Sequence, residues 1–311
     1  MSICLITGEP SDVLYSQVGL RTLSPRLKTI KALNYDAEQQ RQIAAEMAEK
    51  ISIQGVQPKF SAVLSPSQSE FQLVEKDGRY ILKPPHRDFP QVPENEALTM
   101  DLARRAGVDT PPFGLVPNID GTYTYFIQRF DRKGKKKKIA TEDFAQLSQE
   151  SRQTKYRSSL ERVAGVVDEY CTFPLPEKLK LWRRVLVAYL TGNEDMHLKN
   201  YSLITKNGKV TLSPAYDLLN TTIILKEPKE ESALPVRGKK AKLSRSDFVD
   251  YYAWQRLGIG PTVTARVLGE LESILPAWHA RVERDPLLTD ELKTAYQDLL
   301  ARRAQVLFAQ A

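Results

Sequence analysis

The sequence predicts an α+β fold in two lobes, a β-rich one over residues 1–130 and a mainly helical one over 131–311. Three observations predict it. Short apolar runs bounded by turn residues fill the first part. Apolar residues at helical spacing fill the second. The 311 residues, 41% of them hydrophobic, suffice for two cores. A disordered chain is excluded by the same composition. No apolar run approaches the ~20 residues that a bilayer-crossing helix needs. Forty-five basic against 38 acidic side chains leave a net charge of +7, too modest and too dispersed to name a partner. The one dense run, Arg132-Lys133-Gly134-Lys135-Lys136-Lys137-Lys138, has no interleaved aromatics and reads as a solvated loop rather than a nucleic-acid patch. Cys4 and Cys171 form neither a disulfide framework nor a metal quartet. The start of the chain has no basic stretch ahead of a long apolar run. A cytoplasmic chain is expected.

Taken in order, residues 1–35 read as irregular, with Pro10 and Pro25. A helix begins at Asp36, a capping residue, and runs through the strong helix formers of 38–50. Ser52-Ile53-Gln54-Gly55-Val56-Gln57-Pro58-Lys59 reads as a loop. Residues 71–74 and 80–83 flank Lys76-Asp77-Gly78 and read as a hairpin. A helix over 94–106 stops at Gly107, and a second hairpin turns at Asp120-Gly121 into a strand over 123–130. Beyond the lysine run, helices over 157–170 and 176–190 carry Leu160, Val163, Val167 and Tyr170, then Leu179, Trp182, Val185, Leu186 and Tyr189, at helical spacing. The pattern breaks at 193–200, and a short hairpin turns through Asn207-Gly208. Residues 226–244 read as a loop, and helices near 246–257, 261–275 and 288–308 close the chain. Trp182, Trp254 and Trp278 fall on helical faces and are expected in the core, with His86 and His279 as surface or packing residues.

Chemistry concentrates in Asp195-Met196-His197-Leu198-Lys199-Asn200. An aspartate followed five positions later by an asparagine is the spacing of a phosphotransferase loop, where the carboxylate takes a hydroxyl proton and the amide oxygen holds a cation. A tight hairpin follows directly, and beyond it lies Pro214-Ala215-Tyr216-Asp217, whose aspartate comes where a second metal ligand is needed. Upstream, Tyr80-Ile81-Leu82-Lys83 is an apolar strand ending in a lysine suited to nucleotide phosphates, and Glu96 lies on the following helix, where it could pair with Lys83. In the 52–59 loop, Gly55 permits close backbone approach to phosphate and Lys59 adds charge. With one glycine, that loop satisfies neither a G-x-G-x-x-G nor a Walker A pattern.

As a set, the 52–59 run, Tyr80 to Pro84, Glu94-Asn95-Glu96, Gln128-Arg129-Phe130-Asp131-Arg132, Gly192 to Asn200 and Ser213 to Asp217 resemble the HipA-like serine/threonine kinase toxins. The resemblance implies an atypical protein-kinase-like fold with an ATP cleft between lobes, and ATP and Mg²⁺ as cofactors. It implies Asp195 as catalytic aspartate, with Asn200 and Asp217 as magnesium ligands. Gln54, Gly55, Val56, Gln57, Lys59, Lys83, Gln128, Arg129, Phe130, His197, Lys199 and Tyr216 are the implied ATP-binding set. Ser52 is implied as a self-phosphorylated serine whose added charge switches the enzyme off. An aminoacyl-tRNA synthetase is the implied protein substrate, phosphorylated to halt translation, and a helix-turn-helix HipB-like antitoxin the partner, linking the chain to DNA only indirectly. With about fifty residues ahead of the 52–59 loop, the chain looks like the short (HipT) form, completed by a small HipS-like protein. Short members commonly show S-x-S-G in that loop, whereas Gln54 stands here at the second serine. Two other readings stay open on the sequence. One is a small-molecule phosphotransferase of the aminoglycoside or choline kinase type, which usually has His-Gly where Asn193-Glu194 precede Asp195. The other is a catalytically inactive scaffold.

Overall fold

Each of the three strands in the first hundred residues contributes one buried aromatic side chain, Phe60, Phe71 and Tyr80. The computed structural model describes residues 2–50, 58–134, 137–150, 156–225 and 229–309, with 46–50 as backbone. The fold is α+β, in two compact units. The first comprises 1–101, 111–138 and 284–289; the second comprises 102–110, 139–283 and 290–311.

In the first unit five strands form one antiparallel sheet. They are β1 (Phe60–Ser65), β2 (Glu70–Leu73), β3 (Tyr80–Lys83), β4 (Phe113–Pro117) and β5 (Tyr123–Gln128), in the order β2-β1-β3-β5-β4. Phe71, Tyr80 and Phe126 cluster on it with ring centroids 5.0 to 6.2 Å apart, an aromatic core that three strands share. The hairpin expected of 71–74 and 80–83 does not form. β1 lies between those strands, pairing Ala62 with Leu73 on one side and with Tyr80 on the other. The Lys76-Asp77-Gly78 turn carries the chain across β1: Val74 N–H donates to Ser61 O and Arg79 N–H to Ala62 O. A Cβ on Gly78 would come within 1.8 Å of Ser61 Oγ, so the glycine answers a close approach to β1 and not a two-strand turn.

Two helices precede this sheet. α1 (Gln17–Leu23) was not foreseen in a stretch read as irregular; Ser16 caps it by accepting from Gly19 N–H. α2 (Ala37–Lys50) starts as expected, with Asp36 and Gln39 exchanging side chain-to-backbone hydrogen bonds. α3 (Val92–Arg105) follows β3 and stops before Gly107 at φ +75°. The expected hairpin around Asp120-Gly121 forms as β4 and β5. The basic run makes a two-stranded ribbon, β6 (Arg132–Lys133) with β7 (Lys137–Lys138).

The second unit is mainly helical. It holds α4 (Phe144–Leu147), α5 (Leu160–Tyr170), α6 (Pro174–Leu190), the wide, π-type α7 (Asp247–Arg256), α8 (Pro261–Glu283) and α9 (Asp290–Phe308). A small antiparallel sheet, β10 (Lys209–Leu212), β9 (Ser202–Lys206) and β8 (Thr141–Asp143), completes it. Trp182 and Trp278 are fully buried, and Trp182 Nε1 donates to Phe248 O. Trp254, expected in the core, is instead 40% exposed, with Nε1 donating to Thr264 Oγ1. α8 continues past Pro276, where the expected helix had ended, because buried Trp278 and Val282 extend its apolar face one turn further.

Neither unit is one continuous stretch, unlike the single break at 130/131 that the sequence suggested. In the first, Gln91 Nε2 donates to Leu287 O and Gln91 Oε1 accepts from Thr289 N–H, which anchors 284–289. In the second, Ala106 O accepts from Arg183 Nη1 and Asp109 O from Ala215 N–H, which anchors 102–110. Among the described residues no helix is long and apolar enough to cross a membrane.

Candidate active site

Within the first unit, Lys83 ends β3 with only 5% of its surface exposed. Its Nζ donates to Glu96 Oε1 at 2.6 Å and stands 5.5 Å over the Tyr125 ring centroid. Glu96, on the first turns of α3, is 1% exposed. A charge so far out of water is tolerated only with a counter-charge, and this pair supplies one. Gln128 ends β5, and its N–H donates to Pro112 O. The Arg129 guanidinium forks onto Asp131 at 3.0 and 2.8 Å, so Arg129 braces its own loop. Burial opposes the charge on Asp131, but Arg129 and Arg132 outweigh it and hold that carboxyl below the usual range. Phe130 follows β5, and half-buried Lys59 immediately precedes β1. Ser52, Gln54, Gly55, Val56 and Gln57 lie outside the described residues.

Within the second unit the Asp195 segment is built from the end of α6. Gly192 leaves the helix at φ +69°, and a Cβ there would meet Leu299 Cδ2 at 2.4 Å, Asn220 Oδ1 at 2.7 Å and Thr222 Oγ1 at 2.8 Å. Gly192 O accepts from the N–H groups of Thr221 and Thr222, and Glu194 N–H donates to Thr221 Oγ1. Asn193 then makes the decisive tie. Its Oδ1 accepts from Asp195 N–H at 3.1 Å, and its Nδ2 donates to Asp217 O at 3.1 Å. Asp195 O accepts twice, from His197 N–H and from Asn200 Nδ2, both at 2.8 Å. Its carboxylate Oδ1 accepts from the Tyr156 hydroxyl.

The hairpin of β9 and β10 carries the chain from Asn200 to Asp217. Leu212 pairs with Leu203, and Ser213 N–H returns to Ser202 O. Buried Arg184 Nη2 donates to Ser213 O, and Glu177 Oε2 accepts from Leu212 N–H, fixing the strand that leads to Pro214. The Tyr216 hydroxyl donates to Lys199 O at 2.9 Å and pairs with Ser202 Oγ at 2.5 Å. Burial raises its phenol above the usual range. His197 is buried, its ring against that of Tyr156. Asp217 itself sits at φ +55°, a conformation rare outside glycine, held by the Asn193 bond to its carbonyl.

A divalent cation fits this donor set. Asn200 commits its amide nitrogen to Asp195 O, so the hard donor it can offer a cation is its amide oxygen, and Asp217 offers a carboxylate. Among the described residues no group of three or more His, Cys, Asp or Glu residues could hold a metal. One carboxylate and one amide suit Mg²⁺, which takes few protein ligands and keeps water and phosphate oxygens.

In the sequence Asn193 and Glu194 stand out only as letters of a motif, and Tyr156 and Arg303 do not stand out at all. Glu194 is paired with Arg303 of α9 at 3.3 Å and with Thr222 Oγ1 at 2.5 Å. Burial raises its carboxyl despite those partners. No local signal marks that pairing, since Arg303 lies 109 residues away.

The family model described as HipA-like C-terminal domain matches residues 51–278. The chain belongs to the HipA-like family. Relatives of this HipA-like chain include a Haemophilus influenzae protein named as a candidate kinase, 28% identical over 71% of this chain and 69% of its own length. Another is Y4dM of Sinorhizobium fredii, also named as a candidate kinase, 33% identical over 81% of this chain and 65% of its own. The chain thus spans about two thirds of the length of these relatives. Its fold is similar to that of HipA from the Shewanella oneidensis HipA, HipB and operator DNA complex. There the TM-score is 0.68 at 19% identity, over 92% of this chain and 76% of that one. It is also similar to the Helicobacter pylori proinflammatory kinase CtkA, with a TM-score of 0.55 at 14% identity, over 76% of this chain and 88% of the other.

Proposed function

We propose that this HipA-like chain is an ATP- and Mg²⁺-dependent serine/threonine protein kinase and the toxin of a bacterial toxin–antitoxin pair. The observation that carries the reading is Asn193, which holds Asp195 by its N–H and Asp217 by its carbonyl with one amide. Phosphoryl transfer asks for a hydroxyl-orienting carboxylate and a cation-holding carboxylate in fixed positions, because positioning and electrostatics supply most of the rate. In the second unit, Asp195 accepts the proton of the attacking hydroxyl, while Asn200 and Asp217 hold the cation. When bound, that cation neutralises charge on the β- and γ-phosphates. His197, Lys199 and Tyr216 shape the nucleotide's surroundings there. In the first unit, Lys83, kept in place by Glu96, offers its ammonium to phosphate oxygens. Gln128 and Phe130 offer backbone groups to adenine, Arg129 braces them, and Gln54, Gly55, Val56, Gln57 and Lys59 form a phosphate loop.

Support beyond geometry comes from the relatives named as candidate kinases and from the HipA and HipB complex whose HipA shares the fold. By the resemblance of its motifs, the chain acts in the cytoplasm on a protein substrate, an aminoacyl-tRNA synthetase. It is held in check by a helix-turn-helix antitoxin and works with a HipS-like protein. Phosphorylation of Ser52 turns it off.

The test is transfer of γ-labelled phosphate from ATP to purified synthetases. The intact chain labels a synthetase on serine or threonine. Asp195→Asn, retaining its circular dichroism spectrum, labels it at least about a hundredfold more slowly, in line with loss of a general base. Equal labelling by that variant, or labelling of aminoglycosides and of no protein, overturns the reading.

A further inference from the structure

Tyr156 has no part in the reading above, yet it makes a pointed contact within the second unit. Its hydroxyl donates to Asp195 Oδ1, the carboxylate that the reading assigns as proton acceptor. Its ring meets the His197 ring edge-on, with centroids 5.0 Å apart and planes at 83°. The phenol reaches this place from an exposed stretch ahead of α5, and its side chain stays 40% accessible. A hydroxyl within hydrogen-bond reach of a general base occupies the position that an acceptor must take.

The contact is not needed to hold Asp195 in place. Asn193 already fixes its N–H, and His197 and Asn200 fix its carbonyl. The atom of Asp195 that accepts from the Tyr156 hydroxyl is a carboxylate oxygen, the part of Asp195 that does chemistry. A structural brace would be expected on the backbone; a reacting hydroxyl is expected here.

We propose that Tyr156 is an intramolecular phosphoryl acceptor of this chain, a proposal that rests on the kinase reading. The phenolic oxygen forms a bond to the γ-phosphorus of a nucleoside triphosphate, and the bond from that phosphorus to the β,γ-bridging oxygen breaks. The phenolic proton passes to the Asp195 carboxylate, and the nucleoside diphosphate leaves. Once Asp195 has released that proton to water, the product places a phosphate dianion beside a carboxylate, and like charges so close repel. Phosphotyrosine 156 therefore cannot keep the contact that produced it, and Asp195 becomes available to a second hydroxyl. On this account the first turnover of each chain is spent on itself.

The experiment incubates the intact chain with magnesium and γ-labelled ATP, and follows it by tryptic mass spectrometry and phosphotyrosine detection. The expected result is phosphate on Tyr156 approaching one per chain, at least tenfold above Asp195→Asn, with no such peptide from Tyr156→Phe. Its rate constant stays the same over a hundredfold range of protein concentration, as transfer within one molecule requires. Phosphate on serine or threonine, or on added casein, with Tyr156 unmodified overturns this proposal and leaves the kinase reading standing. Absence of transfer to the chain while a synthetase is still labelled overturns this proposal alone, and absence of transfer to either overturns both. A rate proportional to protein concentration overturns transfer within the chain. A second readout needs no nucleotide: with ring-labelled tyrosine, Asp195→Asn moves the Tyr156 Cζ resonance, and an unmoved resonance removes the contact on which the proposal stands.

Discussion

Lys83 is a cation taken almost wholly out of water, with the Glu96 carboxylate as a counter-charge beside it. The pair is worth little as a net contribution, since desolvating both charges offsets most of their attraction. Breaking it is a different matter. Lys83→Met takes the Lys83 ammonium away from a buried carboxylate, and the expected loss is about 3 kcal/mol of unfolding free energy in urea. Adding Glu96→Gln to that variant removes the stranded charge and recovers more than half of the loss. A single variant as stable as the intact chain would mean that Glu96 had found another partner. At this scale the sequence exposes what is encoded by spacing: Lys83 and Glu96 stand 13 residues apart across one turn into one helix. Tyr156 and Asp195 are 39 apart with α5 and α6 between them, so no periodicity connects them. Asn193 was visible as a letter of a motif, but its two hydrogen bonds depend on where β9 and β10 return the chain.

Among the elements, α6 is the lever that positions the Asp195 segment, and Gly192 is where the lever ends. Two demands meet at that residue: a left-handed backbone and a place beside Leu299, Asn220 and Thr222 with no room for a methyl group. Gly192→Ala meets both, adding roughly 1 kcal/mol of backbone strain to about 1–3 kcal/mol of overpacking. The expected outcome is a fall of about 3 kcal/mol in stability by thermal or urea unfolding, together with slower phosphate transfer, because Thr221 and Thr222 both bond to the Gly192 carbonyl. An alanine variant with unchanged stability would show that α9 yields at Leu299. Helix α6 was legible because Trp182, Val185 and Leu186 repeat on one face, and the β9–β10 hairpin because Asn-Gly specifies a tight turn. The sheet of the first unit was misread for a related reason. Asp77-Gly78 carries the same local signal as a hairpin, and only the intervening β1, pairing with both flanking strands, reveals that the turn spans a third strand. Local turn chemistry specifies a bend; pairing is decided by which strand edge the bend reaches.

For the whole molecule the chain order is the informative feature. The switch from strand-rich to helix-rich sequence near residue 130 was legible from composition and periodicity. The two exchanged segments were not, because neither 102–110 nor 284–289 differs in pattern from its surroundings. Their allegiance is set by tertiary contacts, and this has a consequence for dissection. Leu102, Ala103, Ala106 and Val108, all of the segment that belongs to the second unit, are buried. Arg183 and Ala215 also rely on that segment for acceptors, at Ala106 O and Asp109 O. A piece comprising 139–311 loses that apolar burial and strands two donors. Losing Leu102 and Val108 alone costs about 3–6 kcal/mol of transfer free energy, comparable with the roughly 5–15 kcal/mol that stabilises a typical domain. Expressed alone, 139–311 is expected to show weak, non-cooperative thermal unfolding and rapid proteolysis, whereas 102–311 retains a cooperative transition and greater helical signal by circular dichroism. If the shorter piece unfolds as sharply and at the same temperature as the longer one, 102–110 is dispensable to the helical unit, and the hydrogen bonds at Ala106 and Asp109 contribute nothing to its stability.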